Sequence, residues 1–320
     1  MIYVNYVLIF RKDFKMGKLL SYFRWAVFGM QFVIFVSAFA GNEKSSMVVS
    51  TSWLADHRDD PSIVILHVAS LRRDYTAGHI PGARYLWVGS IAQGTPEMSF
   101  EVVPVPKIKE ALEALGVSND SRVILCGVGG NVSATARAFL TLEYVGMGEK
   151  TSVLDGGFDA WKAEGKPVSV DVPMISRGSF IPDVHSEVFV DVDWVKDRLH
   201  APSVTIVDAR APQFYNGTNA GQPRSGHIPG AKNLYFSTLV DSSNKLLPVS
   251  KLRELFDKSG VKEGNEVAAY CHVGQTASLV YFTARYLGYH VHLYDGSFDE
   301  WGGRMDLPIE LPAKTDSTKK

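Results

Sequence analysis

Two phrases in this chain are each written twice. Gly-His-Ile-Pro-Gly-Ala occupies residues 78–83 and again 226–231, and Asp-Gly-Gly-Phe-Asp-Ala-Trp at 155–161 returns as Asp-Gly-Ser-Phe-Asp-Glu-Trp at 295–301. The elements between them repeat in the same order. An apolar run (63–66; 204–207) precedes the first phrase, and a helix-like stretch (107–115; 251–258) follows it. A second apolar run (122–125; 266–270), a longer helix and a third run (151–154; 291–294) lead to the second phrase. A chain built this way folds as two copies of one module. Short apolar runs alternating with amphipathic stretches predict parallel strands with helical crossovers, hence two tandem α/β domains, each a parallel sheet flanked by helices.

The expected first domain covers 45–170 and the second 187–312, each about 120 residues, a common domain size. A linker is expected at 171–186, where Pro173, Ser176, Gly178, Ser179 and Pro182 interrupt periodicity, and a polar tail at 313–320. Residues 1–40 read as a signal peptide with its typical start at Met16. Lys18 and Arg24 precede an apolar run at 25–36, and Ala38-Phe39-Ala40 offers a cleavage site before Gly41. A retained anchor is the alternative, but about 12 apolar residues fall short of the roughly 20 that span a bilayer. The expectation is an exported protein, periplasmic or secreted, with no stable membrane association after cleavage.

A formal charge of −1 supplies no basic field, so nucleic acid is not an expected partner. The chain has only two cysteines, Cys126 and Cys271, too few for a disulfide scaffold or a four-cysteine zinc site. His290 and His292 share a strand face, but two histidines without further ligands read as exposed surface, and no metal is expected. The repeated phrases read as architecture. Proline and glycine shape a turn around His79 and His227, Asp155-Gly156-Gly157 and Asp295-Gly296-Ser297 form strand-end turns that cap a helix, and Trp161 and Trp301 fill core.

Cys271 is placed differently. It follows the apolar run 266–270 and opens Cys271-His272-Val273-Gly274-Gln275-Thr276 before a helix expected at 279–287. Ligands of open α/β sheets bind at the carboxyl ends of strands. A loop turning into a helix there can point backbone N–H groups at one spot, where they and the helix dipole stabilise a thiolate. Gly274 permits the turn, and Thr276 or Ser278 can cap the helix. The competing reading is an inert buried thiol.

Taken together, the paired Gly-His-Ile-Pro-Gly-Ala, the Cys-x-x-Gly-x-Thr loop and Asp-Gly-Ser-Phe-x-x-Trp make residues 45–312 resemble the tandem-domain rhodaneses, the thiosulfate and 3-mercaptopyruvate sulfurtransferases. The resemblance implies two rhodanese-like domains, the second catalytic and the first not, and needs no cofactor. It implies that Cys271 takes sulfur from a small anionic donor and passes it from a persulfide to cyanide or a thiol. Residues 272–276 would then surround the transferred sulfur. Asp208-Ala209-Arg210 matches the family's Asp-x-Arg, with Arg210 either holding the donor or pairing with Asp208 as structure. Arg224 is a further candidate. The family's mercaptopyruvate enzymes usually read Cys-Gly-Ser-Gly and its thiosulfate enzymes often Cys-Arg-Lys-Gly. Val273 lacks the serine hydroxyl, and His272 keeps a group able to carry charge, which favours thiosulfate over 3-mercaptopyruvate.

Cys126 offers a second, less favoured site. Its spacing to Ser133 equals that of Cys271 to Ser278, but His67 stands where the second copy has Asp208. Two other functions compete: a cysteine phosphatase, which needs a longer loop ending in arginine, and a non-enzymatic persulfide carrier or binding module.

Overall fold

The computed structural model describes residues 47–96, 98–219 and 224–311. The expected signal segment, its cleavage site and the polar tail lie outside the described residues.

Each repeat forms a five-stranded parallel sheet. The strands of the first are β1 (Val48–Val49), β2 (Ile63–Ala69), β3 (Arg84–Trp87), β6 (Arg122–Gly127) and β7 (Thr151–Leu154), in spatial order β1-β7-β6-β2-β3. A short antiparallel pair, β4 (Ala92–Gln93) with β5 (Glu101–Val102), is inserted after β3. The second sheet holds β8 (Phe189–Val190), β9 (Val204–Asp208), β10 (Lys232–Asn233), β11 (Glu266–Tyr270) and β12 (Val291–Tyr294), in order β10-β9-β11-β12-β8. Read from the other edge, this is the first order again. The central strands are almost wholly apolar because helices cover both faces.

The predicted helices form at Val105–Ala114, Val249–Lys258, Val132–Tyr144 and Ala277–Tyr286. The last two pack against each other across the domain boundary, with Phe139 edge-on to Phe282 at 4.8 Å between ring centres. They join the inner faces of both sheets into one core, while the outer faces hold separate clusters around Trp161 and Trp301, which fill core as expected.

The expected linker is strapped to the first domain. Gly178 donates to the Glu113 carbonyl, Asp183 to that of Val145 and His185 to that of Tyr144, and Phe180 is buried. The Gly-His-Ile-Pro-Gly-Ala turns anchor each domain's closing segment. His79 bridges to Ser169 and His227 to Glu310, each ring stacked on a tyrosine, Tyr75 or Tyr215.

Candidate functional site

Cys271 immediately follows β11, at the carboxyl edge of the second sheet, and is 1% exposed. Its backbone N–H donates to Ser297 Oγ at 3.2 Å, and its carbonyl accepts from Phe298 N at 3.0 Å. The His272 carbonyl accepts from Asp299 N at 2.9 Å, so the loop is pinned to the turn after β12. Among the described residues, no hydrogen bond takes up the N–H groups of His272, Val273, Gly274, Gln275 or Thr276. Unused backbone donors beside a helix start are what an anionic sulfur requires.

Gly274 makes that turn with φ +78°, and a Cβ there would come within 2.6 Å of Asp295 Oδ1. Asp295 is held by a residue that sequence reasoning missed. Arg137, on the first domain's Val132–Tyr144 helix, crosses the boundary and donates from both terminal nitrogens to the Asp295 carboxylate. Val102 N adds a hydrogen bond of 2.8 Å to the same carboxylate, and the guanidinium lies over the rings of Phe100 and Phe189. An interdomain ion pair thus lies directly under the Cys271 loop. The clue was an arginine in the middle of a mainly apolar helix, where it is buried along with Ser133, Thr135, Thr141 and Glu143. Asp295 therefore docks domains rather than capping its own turn, and so does Asp155, which accepts from Leu246 N at 3.1 Å. Counting back from the helix ends at Tyr144 and Tyr286, Arg137 corresponds to Leu279. Asp155 has no arginine, and burial pushes its carboxyl up from the usual range.

Ser297 was also missed. It is one of three non-glycine residues described with positive φ, at +54°, a conformation that costs a side-chain residue free energy. Its hydroxyl donates to the Tyr294 carbonyl while accepting from Cys271 N, which holds it there. The sequence clue is that the first repeat has glycine, Gly157, at this place.

Three expectations need correction and one is decided. Of its two expected roles Arg210 takes the structural one and does not face the loop as a free cation. It is 3% exposed, its guanidinium donates to both oxygens of Asp208 and to the Gly226 carbonyl, and Tyr270 Oη also donates to Asp208. Arg224 is likewise spent on the carbonyls of Trp301, Gly302, Arg304 and Leu307. Neither Thr276 nor Ser278 caps the helix. Thr276 is already helical in backbone, and Ser278 Oγ donates back to the Gly274 carbonyl at 2.8 Å. The charged form of His272 is disfavoured. Half-burial, then the field of Arg210, lowers its pKa, and its ring lies edge-on to Phe214.

Strand register supports the buried reading of Cys126 over the second-site alternative. In the first sheet Cys126 pairs with His67, and in the second Tyr270 pairs with Asp208. His67 and Asp208 are equivalent, since Tyr85 and Asn233, one residue past the shared Pro-Gly-Ala-x, pair with them. Cys126 therefore matches Tyr270, and Gly127 matches Cys271. Successive strand side chains point to opposite faces, so Cys126 enters the outer core beside Ile65 and Trp161. Burial pushes its thiol pKa far up. A Cβ at Gly127 would meet Thr135 Oγ1 at 2.2 Å, leaving no room for a nucleophile there. A small pocket beside Gly127, lined also by Asp155, Leu279 and Phe282, marks the first repeat's counterpart of the loop site. His67 is buried beside Cys126 with neither ring nitrogen hydrogen-bonded among the described residues, and burial lowers its pKa to about 4.

His290 and His292 are not both surface residues: His290 is exposed, while His292 is buried beside Trp194.

Comparison with known proteins agrees with the fold. The Rhodanese-like domain matches residues 50–164 and 191–304. The chain is 31% identical over 293 residues to the sulfur carrier protein TtuD of Thermus thermophilus, covering 84% of this chain and 98% of that one. It is 32% identical over 276 residues to the 3-mercaptopyruvate sulfurtransferase of Escherichia coli, with 82% and 97% covered. It is 29% identical over 266 residues to the thiosulfate sulfurtransferase of Azotobacter vinelandii, with 83% and 97% covered. Among solved structures, YnjE superposes with a TM-score of 0.76 at 23% identity, covering 83% of this chain and 68% of its own, a likeness of fold.

Proposed function

Because the chain belongs to the rhodanese-like family and is a sulfurtransferase, we propose that Cys271 is its nucleophile and thiosulfate its sulfur donor. The observation that carries the nucleophile is the set of unused N–H groups at 272–276 beside Cys271. The thiolate attacks the outer sulfur of thiosulfate and the S–S bond breaks, so sulfite leaves with that bond's electron pair. Cys271 is left as a persulfide anion. Cyanide or a thiolate then attacks the outer persulfide sulfur and restores the thiolate. The same backbone donors serve both anions without reorganising.

The donor preference rests on protons. Sulfite leaves as a stable dianion and needs none, whereas mercaptopyruvate must leave as an enolate that some acid protonates. Val273 carries no hydroxyl, and burial disfavours the protonated His272 that could serve as the acid. With cyanide as acceptor, thiosulfate is expected to give the larger kcat/KM. Val273→Ser should move the ratio towards mercaptopyruvate by about tenfold, the size of one added hydrogen bond of roughly 1.4 kcal/mol. A wild-type preference for mercaptopyruvate would overturn the donor assignment and leave the nucleophile standing.

The likeness to TtuD, named a sulfur carrier protein, favours a second reading in which the persulfide is delivered to a protein acceptor. Steady turnover with cyanide separates the enzyme from a carrier that discharges only to its partner. We also propose export, on the segment at 16–40. The protein recovered from its native cell should begin at Gly41 and stay soluble without detergent. Intact chain found only in membranes would favour an anchor.

A further inference from the structure

The amino-terminal edge of the second sheet holds three groups that neither catalysis nor domain docking uses. Val267 pairs with Val291 and Ala268 with His292, so Glu266 starts β11 beside His290. The alternation of strand side chains then puts Glu266, His290 and His292 on one face. Glu266 Oε1 lies 3.4 Å from His290 Nδ1, and Glu266 Oε2 lies 3.7 Å from His292 Nε2. One ligand atom from each of the three residues falls within 4.8 Å of the others.

The decisive atom is His292 Nε2. His292 is 4% exposed, yet among the described residues this nitrogen has no hydrogen-bond partner, since 3.7 Å to the carboxylate is too long for one. A buried, unpaired ring nitrogen costs free energy unless something occupies it. The other nitrogen, Nδ1, contacts the Glu187 carbonyl and so carries the proton, which leaves Nε2 a free lone pair 3.7 Å from Glu266 Oε2. A backbone carbonyl that sets the tautomer of a ligating histidine is the usual outer support of a metal site.

We propose that Glu266, His290 and His292 bind one divalent transition-metal ion of the zinc class, with the fourth coordination position open to water. Two imidazoles and a carboxylate are a zinc ligand set, whereas calcium and magnesium take oxygen ligands. Ligand atoms about 2.0–2.2 Å from a tetrahedral ion lie roughly 3.3–3.5 Å apart. The observed separations need only a small inward shift, and His290, with its side chain 61% exposed, is free to make it. The ion would clamp β11 to β12 and, through Glu187, hold the segment leading into β8. Cys271 lies at the other end of β11, about 16 Å along the strand, so this is not the sulfur-transfer site.

The test uses untagged full-length protein carrying Cys271→Ser, so that no reactive thiol competes, stripped with a chelator and titrated calorimetrically with zinc chloride. One equivalent should bind, and thermal stability should rise with zinc concentration. His290→Ala and Glu266→Gln should each weaken binding by more than about tenfold, since losing even an outer-shell partner costs about 10–100-fold. With cupric ion in place of zinc, electron paramagnetic resonance should show two imidazole nitrogens, falling to one in His290→Ala. The same two substitutions made with Cys271 intact should leave sulfur transfer unchanged, which checks that they fold. Failure of the parent to bind zinc, or equal binding by parent and both variants, would overturn the proposal.

Discussion

Cys271→Ser is expected to abolish sulfur transfer, with a loss on the order of a thousandfold or more, the scale on which removing a nucleophile acts. Wild-type protein given thiosulfate without acceptor should gain the mass of one sulfur atom and lose it to cyanide; the variant should gain none. The fold should persist, because the change is nearly isosteric and the loop is held through backbone bonds to Ser297, Phe298 and Asp299. Cys126→Ser is the control. It puts a hydroxyl into the apolar outer core, at a cost of about 1–3 kcal/mol if unpaired, and should leave most turnover in place. The strand register argues for that asymmetry, since Cys126 sits at the position of Tyr270 and not of Cys271. Sulfur recovered on Cys126, with turnover retained in Cys271→Ser, would reverse the assignment of the two domains.

What could be read from the chain is what local pattern encodes. Apolar runs bounded by turn residues marked the central strands, and the repeats marked two domains, because strand and helix periods are properties of neighbouring residues. Cys271 was legible for the same reason: strand, loop and helix are consecutive. The revised readings depend on which strands lie side by side. Counting from Cys126 to Ser133 suggested a second nucleophile, but spacing along a chain does not report the face a strand residue occupies, and a shift of one residue reverses it. Arg210 looked available for an anion until Asp208, Tyr270 and Gly226 were seen to enclose it. The charge of His272 depended on burial, and Glu266, the third group beside His290 and His292, comes from a different strand.

Arg137 is the clearest of these long-range terms, and replacing it should have the largest effect on stability. Arg137→Ala removes one partner of a buried ion pair and leaves the Asp295 carboxylate beneath the Cys271 loop with only the Val102 N–H. Breaking such a pair costs about 3–5 kcal/mol, because the remaining charge stays buried without compensation. At roughly 2–4 °C per kcal/mol for chains of this order, the thermal midpoint should fall by about 10 °C. Activity should fall too, at temperatures where the variant is still folded. Gly274 packs on Asp295 so closely that a methyl group does not fit between them, so a carboxylate that moves to find water carries the loop with it. Arg137 would then act as a positioning residue, lowering kcat more than it raises KM, because sulfur transfer depends on donors already aimed at the developing charge. Arg137→Met combined with Asp295→Leu separates the two effects. Replacing both charges with apolar groups should recover most of the stability, while the loop, having lost the carboxylate it rests on, should stay impaired in kcat. An unchanged midpoint in Arg137→Ala would show that the pair does not hold the domains together. Full recovery of kcat in the double variant would show that the loop needs only packing beneath it, and not the Arg137–Asp295 pair.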